Sequence, residues 1–193
     1  ATVLGLGWYD YLYGSTYCLP RVFPRTIASR LQWLYQHRVR RLGGEYFPNG
    51  NWQDALKIYV WQKIAWNVNA DVEELIDDWC RAAVGPKAAP HFKANFDRLE
   101  KFWNSEAVRK TPWFKEYIYL NASDSSFLDA MPLEMVDECE QLLVRTHEFS
   151  TNPARSAYFL DAFRKIKPTL LLYKKNKQLR EQGDKMNFEK VVY

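Results

Sequence analysis

Two strand-like segments separated by a helical segment most constrain how the start of this chain can fold. Thr2–Tyr13 is rich in apolar and aromatic residues, as is typical of a buried strand, and Val39–Phe47 is typical of a second one. Between them, Pro24 can begin a helix. The apolar stripe of that helix consists of Ile27, Leu31, Leu34 and Tyr35. Strand, helix and strand at this spacing predict a βαβ unit, which implies parallel strands and a right-handed crossover.

A parallel pair is not stable alone, because parallel sheets are buried on both faces and need further strands beside them. The rest of the chain has no strand pattern to supply them, since its apolar residues from Asn51 onward recur at helical spacing. Ala1 also lies at the very start of the first strand-like segment. We therefore expect the missing strands in another segment, as if this chain were cut from a longer one.

The later pattern predicts a series of helices. One carries Leu56–Trp66, and the next is capped by Asn69 or Asp71 and ends at Gly85-Pro86. A third presents Phe92, Phe96, Leu99 and Trp103 on one side, and further helices begin at Pro132 and at Asn152-Pro153. Pro168 is expected to kink or split the last helix, and Ser105–Ser126 is expected to be a loop.

Composition and spacing argue against several functional classes. A net charge of +4 is too small to indicate a nucleic-acid partner, and no apolar run approaches the length of a membrane span. The three cysteines have no paired short spacing, so we predict neither a metal site nor a redox motif, and we predict no cofactor. The acids of the second helix, Glu73, Glu74, Asp77 and Asp78, are predicted to form a solvated face. The basic segment Lys174–Arg180 is predicted to be a solvated helix end, with nucleic-acid binding as a weaker alternative.

Polar and aromatic side chains occupy the ends of both predicted strands. Trp8–Tyr11 ends the first strand, and Glu45 follows Gly43-Gly44 near the end of the second. Acids accept hydrogen bonds from sugar hydroxyls, and flat rings stack on the apolar faces of sugars. The residues we predict to bind a glycan are Glu45, Asp10, Trp8, Tyr11 and Trp52. The alternative is that the glycines form a bulge, that Glu45 is a solvated acid and that the rings belong to the core.

This pattern resembles the domain-of-unknown-function family 4838, some members of which are family 163 glycoside hydrolases, bacterial endo-β-N-acetylglucosaminidases that degrade N-glycans. The resemblance covers roughly residues 3–103 and weakens in the later helices. It is carried by Trp8–Gly14, a proline-bounded helix, Gly43–Glu45, Leu56–Asn67 and Asp71–Leu75.

The resemblance implies a fold and a position within it. The two strands would be the last two βα units of a (β/α)8 TIM-type barrel, an α/β to mainly α fold. Residues 1–68 would end the barrel, 69–182 would form a C-terminal helical region, and 183–193 would be a flexible tail. The resemblance favours a secreted or periplasmic protein.

The resemblance also implies a role for this chain. Glu45 matches the position of a glutamate that binds sugar hydroxyls in related hexosaminidases, whereas nothing in the chain matches their catalytic acid pair. We therefore expect a glycoside hydrolase-like C-terminal portion that binds substrate, carries no catalytic residue and is inactive alone. Its partners would be a glycan and the N-terminal remainder of the barrel. The alternative is a non-catalytic helical module that binds carbohydrate or protein.

Overall fold

The computed structural model describes residues 5–12, 18–46, 54–116 and 124–181. In chain order the elements are β1 (Leu6–Tyr11), α1 (Pro24–Gln36), β2 (Val39–Glu45), α2 (Ala55–Trp66), α3 (Val72–Val84), α4 (Ala89–Trp103), α5 (Glu106–Arg109), α6 (Pro112–Glu116), a 3₁₀ helix (Ser126–Ala130), α7 (Leu133–Phe149) and α8 (Pro153–Glu181). The described part of the chain is therefore mainly helical, with two strands near its start.

The two strands pair in parallel, which confirms the predicted βαβ unit. The pairing places Asp10 opposite Gly44 and Tyr11 opposite Glu45, and the Leu12 amide donates to the Glu45 carbonyl at 2.8 Å. Helix α1 packs against both β2 and α2, so one face of the sheet is covered by helices. The α/β character is thus confirmed for this unit, whereas its origin in a TIM-type barrel stays a prediction.

Helix α1 starts where a proline can begin a helix without losing a hydrogen bond, because the first amide of a helix has no partner within it. Its buried residues include Ile27, Leu31 and Leu34, as the spacing predicts. Tyr35 is exposed instead, so its place in the apolar stripe was wrong. The helix ends beside Arg38, which adopts a left-handed φ of 63° and turns the chain directly into β2.

Helix α3 has a defined beginning and end. The Asp71 carboxylate accepts hydrogen bonds from the amides of Glu73 and Glu74, at 2.7 and 3.2 Å, so Asp71 is the cap. Gly85 ends the helix with a φ of 91°, a conformation that favours glycine. A Cβ at Gly85 would lie 2.2 Å from the Thr151 hydroxyl, so this position also permits a close approach to the start of α8.

The helices pack in a chain of neighbours, α3 against α4, α4 against α7 and α7 against α8. The predicted face of α4, from Phe92 to Trp103, is buried in this core. Helix α8 is one continuous helix with Pro168 inside it, so of the two predicted effects of this proline the split is wrong and the kink stays a prediction. The predicted loop over Ser105–Ser126 is also wrong in part, because α5 and α6 lie within it.

All three cysteines are free, and Cys139 is fully buried, as expected for a small hydrophobic residue. Burial raises the pKa of the Cys139 thiol to about 12, so this side chain packs as a neutral group. Among the helices that the structure describes, none is both long and apolar enough to cross a membrane.

Arg25, in the first turn of α1, joins three helices. Its Nε donates to Glu73 of α3 at 2.5 Å, and its Nη1 donates to Glu100 of α4 at 2.7 Å. Its Nη2 lies 2.8 Å from Asp97, also on α4, and its backbone amide donates to Glu100 at 2.9 Å. Glu100 is 4 % exposed, so this guanidinium compensates a carboxylate that water barely reaches.

The acids of α3 are not simply a solvated face. Lys93 of α4 lies 3.0 Å from Glu73 and 2.7 Å from Asp77, so these two acids form ion pairs between helices. Hydrogen bonds from Arg25, opposed by partial burial, lower the pKa of Glu73 to about 2. Burial instead raises the pKa of Glu100 above its usual value, although Arg25 opposes this shift. Glu73 and Glu100, two of the three acids that Arg25 contacts, therefore have pKa values shifted by opposite dominant causes.

Replacing Arg25 should test whether it stabilises the contact between α1 and α4. We expect Arg25→Met to lower the free energy of unfolding by about 3 kcal/mol, because it leaves Glu100 buried without its cation. Urea unfolding followed by circular dichroism measures this change. The control is Arg98→Met, which removes the more exposed pair with Glu138 and should cost less than about 1 kcal/mol. Equal losses for the two variants would contradict this role for Arg25.

The pKa of Glu73 predicts a dependence of stability on pH. Because the folded-state pKa of about 2 lies below the usual value of 4.5, the unfolded chain binds more protons than the folded chain between these pH values. The stability that Glu73 contributes is therefore complete above pH 4.5 and is lost as the pH falls towards 2. We expect the stability difference between the wild type and Glu73→Gln to shrink over this range in denaturant titrations. The control is Glu74→Gln, since Glu74 is exposed in the same turn and makes no ion pair among the described residues.

Candidate functional site

The sheet has two faces with different surroundings. Added Cβ atoms at Gly43 and Gly44 would approach Tyr9 on one face and Leu12 and Trp61 on the other, so alternation along the strands assigns each side chain to a face. The face towards the helices, here called the inner face, carries Trp8, Asp10 and Leu12. The opposite face, here called the outer face, carries Tyr9, Tyr11 and Glu45.

The outer face brings one carboxylate beside two phenol rings. The Tyr9 hydroxyl donates a long hydrogen bond of 3.5 Å to Glu45 Oε2. The Tyr9 and Tyr11 rings meet edge to face with centroids 5.4 Å apart. Tyr9 is 57 % exposed and Glu45 is half-buried. Desolvation and the nearby Glu45 charge raise the pKa of Tyr9, so this phenol stays protonated and can donate at neutral pH.

Asp10 lies on the inner face and is already engaged. Arg30 of α1 donates from Nη2 to Asp10 Oδ2 at 2.6 Å, and Asp10 is only 6 % exposed. The carboxylate therefore ties β1 to α1, in a charge-assisted pair of the stronger kind. The predicted partners Asp10 and Glu45 are on adjacent strands but on opposite faces, and a sugar-binding role for either stays a prediction.

A cavity of about 310 Å³ opens beside β1. Its lining consists of Trp8, Tyr9, Asp10, Tyr11, Arg21, Phe23 and Arg30. Three of the residues that we predict to bind a glycan, Trp8, Asp10 and Tyr11, thus line one cavity. Glu45 is outside this lining but contacts two residues of it, through the hydrogen bond from Tyr9 and the strand pairing with Tyr11. Trp52 lies outside the residues that the structure describes.

Four lining residues were absent from the predicted site. Tyr9 could have been found from the sequence, because the period of two places it on the same face as Tyr11 and Glu45. Arg30 was expected outside the apolar stripe of α1, and no local pattern indicates its contact with Asp10, 20 residues earlier. Arg21 and Phe23 precede α1 in a segment without periodicity, so only the folded chain places them here.

Two buried side chains hold the segment that carries Arg21 and Phe23. Lys57 of α2 donates to the Arg21 carbonyl at 2.9 Å, and the Trp103 indole donates to the Pro20 carbonyl at 2.6 Å. Lys57 is fully buried and lies 2.5 Å from Asp54, and its amine sits 4.9 Å from the centre of the Phe23 ring. Burial lowers the pKa of Lys57 to about 8, with Asp54 opposing the shift.

The arrangement can bind a ligand through rings, a carboxylate and guanidinium groups. Trp8 is 40 % exposed and provides an apolar surface beside the polar atoms of Asp10 and Arg30. Among the residues that the structure describes, no group of three or more acid, histidine or cysteine side chains could hold a metal ion. The geometry therefore supplies hydrogen bonding and stacking, which suit recognition of a polar ring such as a sugar.

The family comparison covers the elements that build this cavity. Residues 4–97 match the model of a domain of unknown function, DUF4838. The resemblance to DUF4838 seen in the sequence is thus confirmed over those residues. No curated protein matches the chain, and no solved structure matches it.

The DUF4838 match runs from the residues just before β1 to Asp97, inside α4. It therefore includes both strands, all seven lining residues and the Arg25 partners Glu73 and Asp97. The description of DUF4838 names no activity, so a function has to be argued from the side chains themselves.

Adding a methyl group to Gly44 tests how tightly the inner face packs. A Cβ there would lie 3.3 Å from Leu12 Cδ1 and 3.4 Å from the Trp61 ring, so we expect Gly44→Ala to destabilise the protein by about 1 kcal/mol. The control is Gly7→Ala on β1, whose Cβ would meet Arg41 at 3.6 Å, an ordinary contact. Thermal unfolding measures both variants. A stable Gly44→Ala beside a destabilised Gly7→Ala would contradict the assignment of the two faces.

Proposed function

We propose that this chain binds an N-acetylglucosamine-containing glycan and is the substrate-binding C-terminal portion of a glycoside hydrolase-like protein. Sugar rings would rest against Trp8 and Tyr11, and Glu45 and Asp10 would accept hydrogen bonds from sugar hydroxyls. Tyr9 joins this set as a donor and as an exposed ring. Trp52 remains a proposed stacking residue on the basis of the sequence alone.

The proposal is supported chiefly by the outer face of the sheet. A half-buried carboxylate, a phenol that donates to it and two rings in edge contact lie together at the carboxyl ends of two parallel strands. In α/β folds built from parallel strands, ligands bind at these ends. Carboxylates and rings in one place provide the hydrogen bonds and the apolar platforms that sugars need.

The finer part of the proposal comes from the sequence resemblance. Some members of DUF4838 are family 163 glycoside hydrolases, and we take from this resemblance the activity of an endo-β-N-acetylglucosaminidase for the whole protein. The same resemblance gives a (β/α)8 barrel, of which β1 and β2 would be the last strands. The acid pair that such enzymes use has no match in this sequence. We therefore propose that catalysis needs the N-terminal remainder of the barrel and that this chain alone does not hydrolyse glycans.

A second candidate is a non-catalytic helical module that binds carbohydrate or protein. It is favoured by the burial of several helical aromatic side chains, since Phe92, Phe96 and Trp113 are core residues and are not available to a ligand. In this case the helices would form the functional surface and the strands would have no part in sugar binding.

A binding titration with chitobiose, followed by NMR chemical shifts, separates the two candidates. We expect Glu45→Gln to weaken binding by about tenfold, because it removes a charged hydrogen-bond acceptor. Tyr9→Ala should weaken it as well, through loss of the donor and the ring. The controls are Glu148→Gln and Tyr158→Ala, which alter exposed side chains on α7 and α8.

Unchanged affinity in Glu45→Gln and Tyr9→Ala would favour the module and overturn the proposed site. A separate hydrolysis assay of this chain with an aryl N-acetylglucosaminide tests whether catalysis needs the N-terminal remainder of the barrel. Turnover by this chain alone would show that the acid pair lies within it.

A further inference from the structure

A second cavity, of about 270 Å³, adjoins the first one, and the two share Arg21, Phe23 and Arg30 in their linings. It lies between the start of α1, the end of α4 and the short helices α5 and α6. Three of its lining side chains are arginines, with Arg109 as the third, and no acid is among the described residues that line it. With volumes of about 310 and 270 Å³, the two adjoining cavities have room for a ligand of more than one ring.

Arg109 supplies the most accessible positive charge of this cavity. Arg109 is exposed and makes no ion pair among the described residues. Arg30 is paired with Asp10, which lines the first cavity, and its buried Nε has no hydrogen-bond partner among the residues that the structure describes. Guanidinium groups bind carboxylates through paired, charge-assisted hydrogen bonds, which makes arginine the usual residue for this task.

We propose that the second cavity binds the carboxylate of an acidic sugar, while the neighbouring sugar of the same glycan lies against Trp8 and Tyr9 in the first cavity. The inference rests on the proposed function, because it specifies the substrate class of the same site. Thr26 and Asn104, 3.3 Å apart at the cavity wall, can bond the hydroxyls of the acidic sugar.

The aromatic lining favours an acidic sugar over a nucleotide. Trp103 is 6 % exposed and Trp113 is 2 % exposed, so their ring faces are packed and are not open for stacking by a base. The exposed rings, Trp8 and Tyr9, belong to the first cavity. A base that stacked beside its phosphate in the second cavity would find the Trp103 and Trp113 rings already packed.

The test compares sialyllactose with its methyl ester and with lactose, by NMR titration of the 193-residue chain. The ester keeps the shape of the acidic sugar and loses its charge. We expect sialyllactose to bind about tenfold tighter than the ester, and Arg109→Gln to abolish the difference. Arg109→Lys should restore only part of it, because a lysine keeps the charge without the paired geometry. The control is Arg155→Gln, an exposed arginine on α8, which should have no effect.

The outcomes separate this inference from the proposed function. Equal binding of sialyllactose and its ester, unaffected by Arg109→Gln, would overturn the acidic subsite, while binding of lactose or chitobiose would still support the sugar site. Inorganic phosphate or a short single-stranded DNA that binds more tightly than sialyllactose, with the same dependence on Arg109, would also overturn it. If the wild-type chain bound none of these sugars, both the acidic subsite and the proposed function would be overturned.

Discussion

One guanidinium group connects the strand-bearing part of the chain to its helices. Arg25 extends from the first turn of α1 and contacts acids on α3 and α4, including the nearly buried Glu100. This connection helps to position α1, together with the packing of α1 against α2, and α1 in turn supplies Arg30, which holds Asp10 of β1. The geometry of the first cavity thus depends on a contact outside its lining. The predicted boundary near residue 68 stays a prediction, although Arg25 makes contacts across it.

The sheet explains why the candidate site has two kinds of chemistry. Side chains alternate between faces, so neighbours in sequence such as Asp10 and Tyr11 have different surroundings. Inner-face groups are tied to the helices, as the Asp10 contact shows, and their contribution is chiefly positional. Outer-face groups are more accessible, as in the exposed Tyr9. Recognition of a glycan would therefore fall mainly to Tyr9, Tyr11 and Glu45, with Trp8 at the cavity edge.

Much of the fold could be predicted from local sequence, because local physics decides it. The parallel strands, the cap at Asp71 and the buried face of α4 follow from periodicity, capping chemistry and turn residues. Pro168 does not end α8, since a proline weakens a helix without necessarily ending it when packing holds both sides. The ion pairs on the acidic face of α3 were missed for a different reason. Its partners Arg25 and Lys93 lie on other helices, and single-sequence patterns do not reveal such contacts.

The candidate site was only partly accessible to the same reasoning. Trp8, Asp10 and Tyr11 were found from their place at a strand end, and the structure gathers them in one cavity. The arginines were not, because Arg21 and Arg109 are brought together by the packing of segments far apart in sequence. Charge clusters of this kind depend on tertiary structure and leave no periodic signal.

The segment before α1 is held by two buried donors, Lys57 and Trp103, that bond its backbone carbonyls. Arg21 and Phe23, which belong to both cavities, are therefore held by contacts that need no ligand. An incoming molecule would lose little affinity to ordering of this segment, because two of its backbone carbonyls are already bonded. Such preorganisation raises the affinity for ligands whose shape matches the cavity and lowers the affinity for ligands that would require the cavity to change shape.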